Sequence, residues 1–318
     1  MDTLDKDTVS NRYAEAYAQL VKEFCKDVHT IAEEYEPIPR TDDKGKLVPG
    51  PNRAPAPFLP IIGSGYYDAP IRVAIYGMET ACWHDLSRFI KKYGKGGLTA
   101  VKAYTDGDIA NPGDYKNRFH EHHGTEYENK TPFSFWKFVY SVLAFIYNEK
   151  DVRKNEKLLR SFIWGNVNAY EKFNASPKKR MKRDHWQKVF SASERFNSAQ
   201  LLLPYTLPHI MVVFYWGMSR KWLTGNEGKW ESDEKKTIDW ANFDPSDKYK
   251  LKSEQKDVLK KYIRCFYLPN TGTYVFKTMH PQGMHSRHGK GIQQKTWMEA
   301  INYAIGTATN NLTFSHQS

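Results

Sequence analysis

Residues 209–217 read HIMVVFYWG, an apolar run that ends in glycine. Three more short, mainly apolar runs occur, and they are IRVAIYG at 71–77, SFIWGNV at 161–167 and TYVFKTMHP at 273–281. Runs of this length that end in small or polar residues are typical of parallel strands buried on both faces of a sheet. We therefore predict four strands, near 71–76, 162–167, 210–215 and 273–278.

Segments with apolar residues at helical spacing separate these strands. They are 134–147, 185–196, 253–263 and 293–305, and a further amphipathic helix is predicted over 8–36. Strands that alternate with helices predict an α/β protein, here a three-layer α/β/α fold around a central four-stranded parallel sheet. In such sheets the functional residues lie beyond the carboxyl ends of the strands. The segments of interest are therefore 77–84, 165–170, 217–220 and 279–289.

The long connections of the chain are polar or rich in proline and glycine. We expect a single domain over residues 1–318, in which residues 1–56 form an N-terminal helix and a proline- and glycine-rich loop. The core of this domain spans residues 57–310, with insertions near 104–131 and 224–250.

The sequence is basic, with 47 Lys and Arg against 36 Asp and Glu and a net charge of +11. A field of this sign attracts polyanions, nucleic acid first and an anionic membrane surface second. The three cysteines lie far apart, which argues against a disulfide framework and favours a reducing compartment. We expect no signal peptide and no membrane span, because the first residues lack an apolar core and no later run approaches membrane-spanning length. We expect a cytoplasmic protein that binds DNA, with no membrane partner and no obligate protein partner.

Four motifs follow one another at the predicted strand ends. They are GMET at 77–80, an asparagine after the second strand, the VVFYWG strand and HPQGM at 280–284. Their order resembles that of the uracil-DNA glycosylase superfamily across roughly residues 57–310. That family's first motif reads Gly-x-(Asp/Asn/Ala)-Pro and its second reads His-Pro-Ser-Pro-Leu, and RHG at 287–289 is similar to the His-Arg-Gly that often follows.

The resemblance implies a fold like that of the uracil-DNA glycosylases and the activity of a bacterial DNA glycosylase. Such an enzyme extrudes a nucleotide, normally from double-stranded DNA, and hydrolyses its N-glycosidic bond to leave an abasic site. Glu79 stands where the family has the residue that orients the attacking water, and His280 where it has the histidine that hydrogen-bonds the leaving base. Asn166 aligns with the asparagine that reads the pairing edge of the base, with Asn168 as the close alternative.

Each of these residues also has an ordinary structural interpretation. An acid after a strand often caps a helix, and Asn or His is frequent in turns. Phe133 or Phe135 is the candidate for the ring that covers the extruded base, although either suits a core position.

Several residues around the second motif are candidates for contacts with DNA. Met284 stands in place of the leucine that enters the duplex as the base leaves, and we expect it on an exposed loop. The residues around it that suit contacts with phosphates are Gln282, Gly283, Ser286, Arg287 and Lys290. The basic run KKRMKR at 178–183 adds Lys178, Lys179 and Arg180, for which a solvated loop or a targeting signal is the alternative.

The expected substrate depends on one small residue. Ala81 stands where the uracil-specific relatives carry a Tyr that blocks substituents on carbon 5 of the pyrimidine. This gap fits a branch implicated in bacterial phage defence, which excises glucosylated hydroxymethylcytosine from viral DNA. The alternatives are excision of uracil or damaged bases in repair, and a non-catalytic DNA-binding protein on the same fold. We expect no cofactor and no metal, because His120, His122 and His123 have neither an HExxH pattern nor a cysteine partner.

Overall fold

The computed structural model describes residues 39–41, 43–49, 60–63, 65–78, 135–167, 198–225, 228–246, 251–285 and 289–309. The strands within these ranges are β1 (Pro39–Thr41), β2 (Leu47–Pro49), β3 (Ile61–Ile62), β4 (Val73–Gly77), β5 (Phe162–Asn166), β6 (Ile210–Phe214), β7 (Lys235–Lys236), β8 (Arg264–Leu268) and β9 (Thr273–Thr278). The α-helices are α1 (Phe135–Tyr147), α2 (Glu156–Leu159), α3 (Ser198–Thr206), α4 (Arg220–Thr224), α5 (Ser253–Tyr262), α6 (Pro281–His285) and α7 (Gln294–Ala308). None of the described helices has both the length and the apolar character that crossing a membrane requires.

The four apolar runs of the sequence become adjacent strands of one sheet. The full order of that sheet is β3-β5-β4-β6-β9-β8-β7. β6 pairs in parallel with β4 on one side and with β9 on the other. Every residue of β4, β5 and β6 is buried, which accounts for their apolar character. The prediction of a mixed α/β protein built on these four strands is confirmed.

The predicted extent of the sheet is wrong, because the described sheet has seven strands rather than four and is mixed rather than wholly parallel. β8 runs antiparallel to β9, β7 to β8 and β3 to β5. β3 and β7 have two residues each, so they are too short to produce an apolar run. β7 lies within the predicted insertion 224–250, which therefore extends the sheet by one edge strand.

Three of the predicted helices are confirmed as α1, α5 and α7, whereas those over 8–36 and 185–196 lie outside the described residues. α1 packs against α7. Phe138 and Leu143 of α1 and Trp297 and Ile301 of α7 are almost completely buried, so the apolar stripe of each helix forms part of the core.

The chain divides into two compact units. The first comprises Met1–Pro60, Glu79–Gly107 and Gly165–Tyr205, and the second comprises Ile61–Met78, Asp108–Trp164 and Thr206–Ser318. Of the first unit the structure describes residues 39–41, 43–49 and 60, which include the antiparallel pair β1–β2, and residues 165–167 and 198–205. The second unit contains β4, β6, β8, β9, α1 and α7. The single domain predicted over residues 1–318 stays a prediction.

The order in which the chain forms its strands determines where a ligand can bind. β5 follows β4 in the chain and lies on one side of it, whereas β6 lies on the other side. At such a change of direction the connections after neighbouring strands diverge, and ligands of open α/β sheets bind outside the carboxyl ends of the strands there. Within the second unit these ends lead to Met78 after β4, Tyr215 after β6 and Met279 and His280 after β9.

Candidate functional site

His280 lies in the two-residue connection between β9 and α6. Its carbonyl oxygen accepts hydrogen bonds from the backbone N–H groups of Gly283, at 2.8 Å, and of Met284, at 3.2 Å. Pro281 occupies the first helical position, where its missing N–H costs nothing and its fixed φ suits the helix. The backbone that carries the His280 side chain is therefore held by both the strand and the helix.

The His280 imidazole is surrounded by protein although part of the residue remains accessible to solvent. Burial lowers the pKa of His280 from its ordinary 6.5 to about 4, because the charged form loses hydration. At neutral pH the ring is consequently uncharged, with one nitrogen that donates a hydrogen bond and one that accepts. A neutral donor in such surroundings forms a stronger hydrogen bond than it would in water.

Phe135, one of the two aromatic candidates, lies close to this imidazole. It is the first residue of α1, and its ring lies parallel to the His280 ring, with an angle of 5° between the planes and 6.3 Å between the centroids. The edges of two further rings fix its orientation, because Phe135 packs edge-to-face with Phe214 at 5.6 Å and with Trp136 at 5.4 Å. Phe135 is half-buried, so a part of it can meet a ligand.

Asn166 ends β5 and belongs to the first compact unit. The residue is only 5% exposed, and within the described part of the chain its Nδ2 has no hydrogen-bond partner. A buried amide that lacks a partner costs roughly 1–3 kcal/mol, so this donor is available to a ligand that would satisfy it. The alternative, Asn168, lies outside the described residues.

Thr278 was not predicted from the sequence. Its Oγ1 is buried at the end of β9 without a hydrogen-bond partner among the described residues, two positions before His280. A threonine in a strand is ordinary, so the sequence contains no signal that would have indicated it.

The expected exposed position of Met284 is wrong. Met284 lies in α6 rather than on a loop and is only 1% exposed. The short helix turns this side chain into the core, and a buried residue cannot enter a DNA duplex without first leaving its packing. The structure therefore removes the support for Met284 as a wedge.

The region after α6 is partly described. Lys290 is exposed, which fits a phosphate contact, and it has a positive φ of 52°. Gly289 passes so close to the carbonyl oxygen of Met284 that a Cβ on it would overlap that atom, which explains the glycine of the RHG motif. Gly283 is half-buried in α6, and of Gln282 only the backbone is described. The other predicted site residues, which lie outside the described residues, are Glu79, Ala81, Phe133, Lys178, Lys179, Arg180, Ser286 and Arg287.

Within the second unit, the structure thus brings together a neutral imidazole donor and a parallel aromatic ring, and the buried Thr278 hydroxyl ends the strand that leads to them. Such a set can bind a planar group and stabilise negative charge that develops on it. Across the described ranges, no three His, Cys, Asp or Glu side chains come close enough to hold a metal ion. The chain matches no protein-family model, no curated protein and no solved structure.

Proposed function

We propose that the chain is a DNA glycosylase with the three-layer α/β/α fold of the uracil-DNA glycosylase superfamily. It hydrolyses the bond between an extruded pyrimidine and its deoxyribose. The observation that carries this proposal is the neutral imidazole of His280 beyond the carboxyl end of β9, with the Phe135 ring parallel to it. The position agrees with the family's base-contacting histidine, and the neutral state is the one that this role requires.

The proposed reaction breaks the bond between C1′ of the sugar and N1 of the base. The bonding electron pair leaves with the base, and the sugar becomes cation-like. The His280 N–H donates a hydrogen bond to the base oxygen on which negative charge accumulates, and this bond strengthens as the charge grows. Water then adds to C1′ while Glu79 accepts its proton, which finally neutralises the free base. The products are the free base and an abasic site.

Two further residues recognise the base in this proposal. Phe135 covers one face of the extruded ring. Its packing against Trp136 and Phe214 already fixes its plane, so it is ready to receive a flat base. Asn166 pairs with the edge of the base through the amide that lacks a partner among the described residues. Its side-chain amide offers a donor and an acceptor, so its orientation decides which pyrimidine edge it accepts.

We propose a pyrimidine with a bulky carbon-5 substituent as the substrate, in the DNA of phage that infect a bacterial host. Ala81 leaves space at the position where a tyrosine would exclude such a group. The net charge of +11 supports binding to the phosphates of double-stranded DNA, and it predicts that the affinity falls steeply with salt.

The test is an abasic-site assay on unmodified, uracil-containing, mismatch-containing and glucosylated phage DNA side by side. We expect abasic sites in the glucosylated DNA. Ala81→Tyr should abolish excision of the bulky base through steric overlap, whereas the matched control Ala81→Ser should retain it.

Two outcomes of this assay would contradict parts of the proposal. Abasic sites found only in uracil-containing DNA would replace the bulky substrate by uracil and indicate a repair enzyme. Retained DNA binding without abasic sites in any substrate would contradict the enzymatic activity and favour a binding protein.

A further inference from the structure

A basic pocket of about 610 Å³ lies beside β9, on the side of the sheet formed by β8 and β7. Its volume falls within the range of about 300–1,000 Å³ that is usual for small-molecule sites. Its cationic lining residues are Arg220, Lys229, Lys235, Lys236, Arg264 and Lys277. Among the described residues that line it there is no Asp or Glu. The pocket therefore concentrates positive charge.

The register of the antiparallel strands brings three of these cations together. Lys277 of β9 lies directly opposite Arg264 of β8, and Lys235 of β7 lies opposite Phe266 of β8. Residues two apart on a strand share a face, so Arg264, Phe266 and their partners point to the same side of the sheet. Like charges directly opposite one another on a sheet are destabilising, so this arrangement favours a bound anion between them.

A part-buried ion pair fixes the wall of the pocket. Arg220 donates hydrogen bonds from Nε and a terminal nitrogen to the two carboxylate oxygens of Glu234, each at 3.0 Å. The backbone N–H of Tyr267 on β8 donates to the carbonyl oxygen of Glu234 at 2.7 Å, which ties this segment to the sheet. Because Arg220 and Glu234 form a nearly neutral pair, the positive charge of the pocket comes from its other cationic residues.

Two tryptophans form planar walls in the same pocket. Trp230 stacks on Phe266, with centroids 4.0 Å apart and an angle of 15° between the planes. The Nζ of Lys277 lies over the Trp216 ring, 4.6 Å from its centroid, and donates a hydrogen bond to the carbonyl oxygen of Met218. These contacts hold both indoles and the ammonium group in defined positions.

We propose that this basic pocket is a nucleotide-binding site, separate from the site around His280. Lys277, Arg264 and Lys235 bind a phosphate group, and the indole of Trp230 contacts the base. Nucleotides combine negative charge with a flat, weakly polar ring, and proteins bind them by pairing cations with aromatic rings. The phosphate comes either from a free nucleotide or from a DNA strand, since both offer the same chemistry.

Calorimetric titration of the full chain tests this proposal with thymidine monophosphate, thymidine, inorganic phosphate and an oligothymidylate. We expect thymidine monophosphate to bind at least about tenfold more tightly than thymidine or inorganic phosphate, because it contacts both the cations and the indole of Trp230. If the oligothymidylate binds at least about tenfold more tightly than thymidine monophosphate, the phosphate comes from a DNA strand. Equal affinity of the two indicates a free nucleotide.

Paired variants separate the pocket from general charge. Lys235→Gln with Arg264→Gln removes two exposed cations of the pocket and should weaken thymidine monophosphate about tenfold or more. Lys256→Gln with Lys260→Gln removes two exposed cations of α5 outside the pocket and should change the affinity less than about twofold. Trp230→Leu should weaken the binding of thymidine monophosphate but not the binding of inorganic phosphate.

Three results would overturn the proposal. They are absence of nucleotide binding, equal effects of the two double variants, and equal affinity for thymidine monophosphate and inorganic phosphate. The test is independent of base excision, because His280→Asn should leave nucleotide affinity in the pocket unchanged even where it abolishes catalysis.

Discussion

β9 adjoins two regions of opposite character within the second unit. At its carboxyl end the protein around His280 keeps an imidazole uncharged next to a parallel aromatic ring. On its β8 side, Lys277 and Arg264 face a pocket that concentrates cations. Desolvation strengthens a single hydrogen bond to a developing anion, but it penalises several cations held together. This difference supports the proposal that base excision and phosphate recognition use separate sites.

The largest expected effect comes from removing the imidazole of the first region. His280→Asn should lower single-turnover base excision by about a hundredfold or more, because the shorter side chain no longer places an N–H donor where the hydrogen bond strengthens in the transition state. Glu79→Gln should cost a similar factor, because it removes the acceptor for the proton of water. DNA binding should largely persist in both variants. The measurement is the rate at which abasic sites form.

His209 provides a matched control at the opposite end of the sheet. It precedes β6, and its Nδ1 accepts a hydrogen bond from the backbone N–H of Arg72 at 3.1 Å. His209→Asn should change excision less than about threefold, since no reacting group is expected at the amino ends of parallel strands. An equal loss of excision in His209→Asn and His280→Asn would show that the effect comes from impaired folding and not from catalysis.

His280 could be predicted from the sequence because its signal is local. An apolar run specifies a buried strand, and the residues that follow it must lie at the carboxyl end of that strand. The basic pocket could not be predicted in this way. Its cations come from positions as far apart as Arg220 and Lys277, and they converge only through the antiparallel register of β7, β8 and β9.

Met284 shows where a motif misleads. Its alignment with an inserting leucine depended on an apolar side chain, and that residue type suits the core equally well. The helix that begins at Pro281 decides between the two by turning Met284 inward. The sequence did not indicate a helix of five residues, because one turn and a half is too short to show helical periodicity.

Met284→Ala tests the buried position of this side chain through the stability of the protein. Truncating a side chain that is 1% exposed should lower the free energy of unfolding by about 2–4 kcal/mol, because a cavity remains in the core. Met284→Leu conserves volume and should cost less than about 1.5 kcal/mol. Arg264→Gln, in the exposed wall of the basic pocket, should stay within about 0.5 kcal/mol of the original chain. Urea unfolding measures all three.

The stability of Met284→Ala also decides between the two interpretations of this residue. Unchanged stability combined with slow excision would restore Met284 as a side chain that enters the duplex. A loss of stability that accounts for the loss of excision agrees with its buried position.

The smallest expected effect concerns pH and the neutral state of His280. The pKa of His280 is about 4 in the folded chain, below its ordinary 6.5, so the unfolded chain binds the proton first as the pH falls. The free energy of unfolding should therefore decrease between about pH 6.5 and about pH 4, by up to about 2 kcal/mol from pH 7 to pH 5. The interval from about pH 7 to about pH 5 lies above the ordinary pKa of carboxyl groups, which limits their contribution to the decrease. In His280→Asn this part of the decrease should disappear. Burial also lowers the pKa of His209, so His209→Asn should remove only the part of the decrease that His209 contributes. Urea titrations at the two pH values measure the difference, and a full decrease retained in His280→Asn would show that the imidazole is charged or solvated in the folded chain.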